Sequence, residues 1–389
     1  MRAFYTGIDV GTSQIKVVIA SPSQNPELPM QIIGIGTAAS RGMRHGFIVD
    51  VGEASKSIRE AVVRASAAAK VKIVTARVSI GGIGLDELKS TGDISLTASG
   101  SVVSSRDMDR AVQESEKRSA SKLLNRTIVH SIPIEYRIDG TKVFGKPEGL
   151  EGAKLAVDTL LITMISQHHD ALEAAIEGAG VEVEGFMASP IAASLVVLTK
   201  AQKTAGVLLA NMGAETLSLI VYENDVPIST KIFALGSSDI THAIALAFQV
   251  PIHEAEQLKR GGVSGSDVSN KKIQQIISSK LKDLFTLVNS HLKTINRQRL
   301  LPAGIIITGG GSGLIGAAEV ARSVLKLPSQ VSQIGSLPRT ASVDATWAVA
   351  FGLCRWAHMD EMSQDRPAFG QVLIDGWDSL KKGLSSFLP

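Results

Sequence analysis

Two stretches of this chain repeat one pattern. Tyr5-Thr-Gly-Ile-Asp-Val-Gly-Thr-Ser-Gln-Ile-Lys-Val-Val-Ile-Ala20 and Val207-Leu-Leu-Ala-Asn-Met-Gly-Ala-Glu-Thr-Leu-Ser-Leu-Ile-Val-Tyr222 each run an apolar strand into an acid or amide, a hydrophobe and a glycine, turn, and return as a second apolar strand. Asp9 thus aligns with Asn211, and Gly11 with Gly213. A duplication of this kind predicts two related domains with facing hairpin tips. Glycine tolerates positive φ and lets the backbone approach a ligand, so each tip can aim its N–H groups at a phosphate. A third cluster, Ala303-Gly-Ile-Ile-Ile-Thr-Gly-Gly-Gly-Ser-Gly313, reads as a buried strand breaking into a tight loop before the helical stretch Leu314 to Leu325. That loop suits the sugar and base of a nucleotide. Taken singly, each glycine turn reads more often as a plain hairpin; the order and spacing of the three together carry a stronger signal.

The chain of 389 residues is long enough for two or more domains, and 44% hydrophobic residues supply their cores. A net charge of +3 with 4% aromatics gives no basic excess for nucleic acid. The single cysteine, Cys354, excludes a disulfide framework and a cysteine metal site; it reads as a buried thiol in an apolar helix, in a reducing compartment. No signal-peptide pattern opens the chain, and no apolar run reaches the roughly 18 residues a membrane span needs. The expectation is a protein neither secreted nor membrane-spanning.

Val51 to Ala69 has helical periodicity, followed by a strand at Ile73 to Ile83. From Leu85 to Lys154 the texture changes to short strands flanking one polar helix, Ser105 to Leu124, and reads as an inserted subdomain. Strand Ala156 to Ile165, helix Gln167 to Ala179 and helix Pro190 to Lys200 follow, then the second hairpin, helices Ser237 to Phe248 and Ile252 to Lys259, and a long helix Lys271 to Asn296. Such alternation predicts an α/β protein.

The hairpins and the glycine strand resemble the nucleotide site of the actin, Hsp70 and hexokinase superfamily. Ser40-Arg-Gly-Met-Arg-His-Gly-Phe-Ile-Val-Asp50, Ile132-Pro-Ile-Glu-Tyr136, Pro147-Glu-Gly-Leu-Glu-Gly152 and Leu284-Phe-Thr-Leu-Val-Asn289 narrow the resemblance to the bacterial cell-division family FtsA, over about residues 4 to 357. The resemblance implies an actin-like fold of duplicated RNase H-like domains. Its subdomains would be 1A (1–84 and 155–203), an inserted 1C (85–154) that helps make contacts between protomers, 2A (204–235), 2B (236–300) and a closing segment (301–362). It further implies ATP with Mg²⁺. Gly11, Thr12, Ser13 and Lys16 would hold the β/γ-phosphates, Asp9 would hold Mg²⁺ through water, and Asn211, Gly213, Glu215 and Thr216 would form the second phosphate loop. Glu256 and Lys259 would lie beside the adenosine, opposite Gly309, Gly310, Gly311 and Ser312. Without the resemblance, Lys16 reads equally as a solvated strand residue, and Glu256 with Lys259 as an exposed helix pair worth about 0.2–0.5 kcal/mol.

This chain departs from the family's second loop, usually Asp-x-Gly-Gly-Gly-Thr-x-Asp; here it is Asn211-Met-Gly-Ala-Glu-Thr-Leu-Ser218. Asn211 deletes a charge that would polarise water near Mg²⁺, so hydrolysis is expected to be slow or absent, a weak ATPase at most. Glu215 repels phosphate if it points inward and only stiffens the turn if it points outward.

Residues 363–369 read as a polar linker before residues 370–389. At about 100° per residue, Trp377, Leu380, Leu384, Phe387 and Leu388 share one stripe, with Lys382 opposite and Lys381 at its edge, the pattern of a helix lying in a membrane interface. The alternative is a terminal helix docked on its own protein. The resemblance implies such a membrane anchor, and with it a filament-forming tether for the tubulin-like protein FtsZ at the cytoplasmic face of the membrane, at the septum. The FtsZ C-terminal peptide would meet Lys280 and Lys282, which otherwise read as a solvated helix face. Two rivals share the fold: a PilM-type scaffold of pilus assembly and a small-molecule kinase.

Overall fold

The computed structural model describes residues 3–22, 30–96, 101–262, 269–332 and 344–364. The tail expected over 370–389, and the linker from 365 onward, lie outside them.

Strands β1 (Tyr5–Val10), β2 (Gln14–Ser21) and β3 (Gln31–Ala39) form an antiparallel meander. A ribbon of β4 (Met43–Arg44) and β5 (Phe47–Ile48) leads into helix α1 (Val51–Ala69), and β6 (Thr75–Ile80) then joins β1 in parallel. The Asp50 carboxylate accepts the Glu53 N–H at 2.9 Å and starts α1; Lys70, at φ 55°, ends it. The helix buries Ala54, Ile58, Ala61, Val62 and Ala65 against β3. Gly36 permits the contact, because a Cβ there would stand 2.1 Å from the Ala61 carbonyl oxygen. Full burial of a side chain such as Ile58 stabilises by about 1.5–3 kcal/mol.

The insertion consists of β7 (Asp86–Ser95), β8 (Ser101–Val102), α2 (Ser105–Ser119), β9 (Arg126–Ile138), β10 (Thr141–Val143), β11 (Glu151–Gly152) and β12 (Lys154–Ile165). Its main sheet runs β10-β9-β12-β7, with α2 packed on β7 and β12 around a small core of its own. Since β12 pairs with β7 from Lys154 to Thr163 and with β9 up to Ile165, the inserted sheet reaches beyond the Lys154 boundary read from the sequence.

Helix α3 (Ser166–Gly178) returns the chain to the first domain, and β13 (Glu182–Ala188) completes its sheet in the order β13-β6-β1-β2-β3. Helices α4 (Ser189–Val197) and α5 (Lys200–Ala205) then replace the single helix expected from Pro190 to Lys200. Thr199 starts a new helix: its hydroxyl accepts the Gln202 N–H at 3.2 Å and the Gln202 side chain accepts the Thr199 N–H at 2.9 Å.

The second domain repeats the first. Strands β14 (Val207–Met212), β15 (Leu217–Glu223) and β16 (Val226–Phe233) form the meander, followed by α6 (Ser237–Phe248), α7 (Ile252–Lys259) and α8 (Asn270–Thr294). Then come β17 (Ile305–Thr308), α9 (Ala317–Leu325), β18 (Ser329–Val331) and α10 (Ala348–Gln364). Its sheet order, β16-β15-β14-β17-β18, matches that of the first domain position by position. Strands buried on both faces read as continuous apolar runs; Ile15 and Val17 to Ala20 in one sheet, and Val207 to Ala210 in the other, have no exposed surface.

Helix α4 packs on β14 and β15 of the second sheet, while α10 packs on β1, β2 and β6 of the first and against α4. The two domains are thereby joined through one core, which includes Leu209 and Ile220 as well as Ile8 and Leu353. The hairpin tips are left facing each other at its edge. Cys354 is buried in α10, as expected, and burial pushes its thiol up to about 12. Among the described residues no helix is long and apolar enough to cross a membrane.

Candidate functional site between the domains

The tips of the two repeated hairpins open onto one cleft of about 710 Å³. At the first tip Asp9 pairs across β1 and β2 with Lys16, and a Cβ on Gly11 would lie 2.8 Å from the Gln14 carbonyl oxygen. At the second the Gly213 N–H bonds the Thr216 carbonyl at 2.8 Å, and a Cβ on Gly213 would lie 3.0 Å from that oxygen. Both glycines thus permit the same tight return three residues on. Parallel pairing sets Asn211 beside Thr308, so the third loop leaves β17 directly alongside the second tip. There Gly309, at φ 86°, lies against the Asn211 carboxamide: a Cβ would stand 2.2 Å from its oxygen.

The lining includes Asp9, Gly11, Thr12, Ser13, Lys16, Asn211, Gly213, Thr216, Glu256, Lys259, Gly309, Gly310 and Gly311. Residues from four separate stretches of sequence therefore meet in one place. A Cβ on Gly310 or Gly313 would meet no protein atom, so these positions leave room beside the cleft that side chains would fill.

Asp9 lies at the bottom of the first tip, where the Ser79 hydroxyl donates to its Oδ1 at 2.8 Å. Burial raises the Asp9 carboxyl above the usual range, partly countered by Lys16 and by the Ser79 bond. A buried acid of this kind is suited to a cation. Among the described residues no group of three or more acid, histidine or cysteine side chains could hold a metal ion.

On the far wall, Glu256 and Lys259 sit one turn apart on α7. The Lys259 ammonium contacts Glu256 at 2.6 Å, donates to Thr241 Oγ1 at 2.8 Å and to the Ser237 carbonyl at 3.1 Å, and its side chain is 6% exposed. This is no solvated helix pair. Burial pushes the Glu256 carboxyl up, but hydrogen bonds from Lys259, Thr241 and Arg260 outweigh it and hold the group below its usual range. The N-terminal turn of α6 also faces the cleft through Ser237 and Ser238, adding a helix dipole that favours an anion.

Two residues of the sequence-based set lie off the cleft. The Ser312 hydroxyl is buried and donates to the Gly309 carbonyl at 2.7 Å, inside its own turn. Glu215 reaches the first domain: its Oε2 accepts the His45 N–H at 2.6 Å. Sequence reasoning missed Ser79, Ser189, Ser237 and Arg260, all of which line the cleft. Only Arg260 carried a signal, as the residue that follows Lys259. On α8, Lys280 contacts Asp283 at 3.7 Å with its side chain 44% exposed, and Lys282 is exposed.

A family model described as "Cell division protein FtsA" matches residues 208–352, and one described as "SHS2 domain inserted in FTSA" matches residues 84–163. The cell division protein FtsA of Streptococcus pneumoniae is 29% identical over 358 residues, covering 85% of this chain and 77% of that protein. That of Borreliella burgdorferi is 26% identical over 381 residues, covering 92% and 91%. Among solved structures, the PilM-PilN type IV pilus biogenesis complex superposes with a TM-score of 0.67 at 20% identity, over 90% of this chain and 98% of that one. MreB 5 of Spiroplasma citri bound to AMPPNP superposes with a TM-score of 0.56 at 10% identity, over 94% and 99%. These structural likenesses show the fold, an actin-like one.

Proposed function

Because the chain belongs to the FtsA family of actin-like cell-division proteins, we propose that it is an ATP-binding scaffold that tethers FtsZ filaments to the cytoplasmic face of the membrane at the septum. The observation that carries the reading is the meeting of both hairpin tips and the Gly309 loop on one cleft. Fold relatives bound to ADP and to AMPPNP support a nucleotide there.

In this reading the N–H groups of Gly11 to Ser13 and the Lys16 ammonium take the β/γ-phosphates, with Gly213 and Thr216 opposite them. Asp9 holds water on Mg²⁺, while Glu256, Lys259 and the 309–311 loop flank the adenosine. Mg²⁺ would supply charge neutralisation between phosphates. Asn211 brings no charge to activate water, so the chain holds ATP better than it hydrolyses it. The inserted subdomain takes part in filament formation, Lys280 and Lys282 receive the acidic FtsZ C-terminal peptide, and residues 370–389 bind the membrane. Lysine offers a point charge without the bidentate fork of arginine, so that peptide contact is modest.

Calorimetric titration of Mg·ATP into the full chain should show binding, and a phosphate-release assay should show turnover below about 1 s⁻¹. No binding, or fast steady-state hydrolysis, would refute the nucleotide part. Lys280→Glu with Lys282→Glu should weaken FtsZ capture on liposomes and leave ATP affinity unchanged. Full FtsZ recruitment by that double variant would remove α8 from the interface.

A further inference from the structure

One side chain bridges the two domains beside the cleft. Glu215, from the tip of the second hairpin, accepts the His45 N–H at 2.6 Å through Oε2, and the imidazole Nδ1 lies 3.7 Å from the same oxygen and 3.4 Å from the Glu215 carbonyl oxygen. The next N–H, of Gly46, goes to Thr12 Oγ1 of the first tip at 3.1 Å. Consecutive N–H groups of one dipeptide thus tie the two phosphate-loop tips together. His45 at φ 47° and Gly46 at φ 80° both have positive φ.

Both ends of this tie are anchored in their own domains. In the first, the His45 carbonyl accepts the Ile83 N–H at 3.3 Å, and a Cβ on Gly46 would stand 2.3 Å from the Gly82 Cα, so the ribbon between β4 and β5 is packed on the end of β6. In the second, the Ser237 and Ser238 N–H groups bond the carbonyls of Gly213 and Ala214 at 2.9 and 2.8 Å, and a Cβ on Gly236 would lie 2.3 Å from the Ala214 oxygen. The second hairpin tip thus meets the first domain through a carboxylate. Opening the cleft by domain rotation therefore has to break that contact, and a ligand held by both tips has to leave through the same opening.

We propose that Glu215 and His45 form a latch that holds the two domains closed over a bound nucleoside triphosphate and sets its release rate. The proposal rests on the nucleotide reading above. Glu215 and His45 are positioning residues, since neither lines the cleft. The latch and a ligand that touches both tips favour the same closed state, so each strengthens the other. Breaking the contact favours the open state, so its loss speeds release and does not slow association, which also passes through the open state. With both side chains about one third exposed, the charge-assisted bond is partly screened.

The test uses the full chain with Mg²⁺ and a fluorescent N-methylanthraniloyl ATP, chased with unlabelled ATP in a stopped-flow instrument. Glu215→Ala should speed release by roughly tenfold, the change expected for losing one charge-assisted hydrogen bond. Association should be no slower than in the unsubstituted chain. Glu215→Gln keeps an acceptor oxygen without the charge and should fall between. Release from Glu215→Ala at the unsubstituted rate overturns the latch. If the unsubstituted chain binds no labelled nucleotide, the nucleotide reading fails by itself, and amide hydrogen exchange at His45 in the ligand-free chain decides the latch. Protection that disappears in Glu215→Ala upholds it; equal exchange in both proteins overturns it.

Discussion

Asp9 is a buried acid on the wall of the cleft. Its folded pKa lies above the ordinary value because burial penalises the charged form. A raised acid contributes stability that is full below the unfolded pKa and is lost as pH rises through the folded one, so above the folded value the ligand-free protein carries an unfavourable buried charge. Asp9→Asn should raise the stability of the ligand-free chain at pH 7 by about 0.5–2 kcal/mol, the range typical of substitutions that relax a functional site. The gain should vanish near pH 3, and Mg·ATP binding should weaken. Thermal melts at the two pH values, with and without Mg·ATP, check all three. A variant that melts earlier at pH 7 would show that the Ser79 bond outweighs the burial. At this scale the sequence reveals residue types more readily than directions. The repeat singles out Asp9 and Gly213, but the partner of Glu215 lies 170 residues away, and no local pattern relates the two.

Among the elements, the crossing of α4 and α10 determines how the domains meet. Gly352 of α10 is in backbone contact with α4: a Cβ would stand 1.9 Å from the Ala192 carbonyl oxygen. On the other side of α10, a Cβ on Gly7 of β1 would stand 2.2 Å from the Ala350 carbonyl oxygen. The helix is thus clamped between its neighbours without side-chain spacers, in a core with interior packing density that yields little. Gly352→Ala should destabilise by about 1–3 kcal/mol through overpacking, despite the better helix propensity of alanine. Urea unfolding measures this, and an unchanged midpoint would mean that the crossing can widen at no cost. Long periodic elements such as α1, α7 and α8 were legible in the sequence, because one apolar stripe fixes a helix. The end of the insertion was not. Strand β12 carries its apolar run from the inserted sheet directly into α3, so no change of composition separates Lys154 from Ile165. The break between α4 and α5 left a signal that counting apolar residues overlooks, the capping pair Thr199 and Gln202.

For the whole molecule, tethering needs a fold that is stable without its anchor and an anchor that works only in numbers. The described residues contain both repeated sheets, three cores and the cleft, with α10 completing the joint between the domains. On the tether reading, partial burial of Trp377, Leu380, Leu384, Phe387 and Leu388 in a membrane interface would yield about 5–8 kcal/mol gross, and ordering a helix would consume much of it. One tail would then be a weak anchor, and tails carried along a filament would bind together through effective concentration. Deleting residues 370–389 should abolish flotation with liposomes while leaving the melting temperature and ATP affinity in place. Trp377→Glu or Phe387→Glu should weaken lipid binding strongly, and neutralising Lys381 and Lys382 should weaken it mainly on anionic lipid, by about 1 kcal/mol per charge. A docked terminal helix predicts the reverse, an earlier melt on truncation with lipid affinity unchanged. A truncated chain that still floats with liposomes and melts early would end the tether reading.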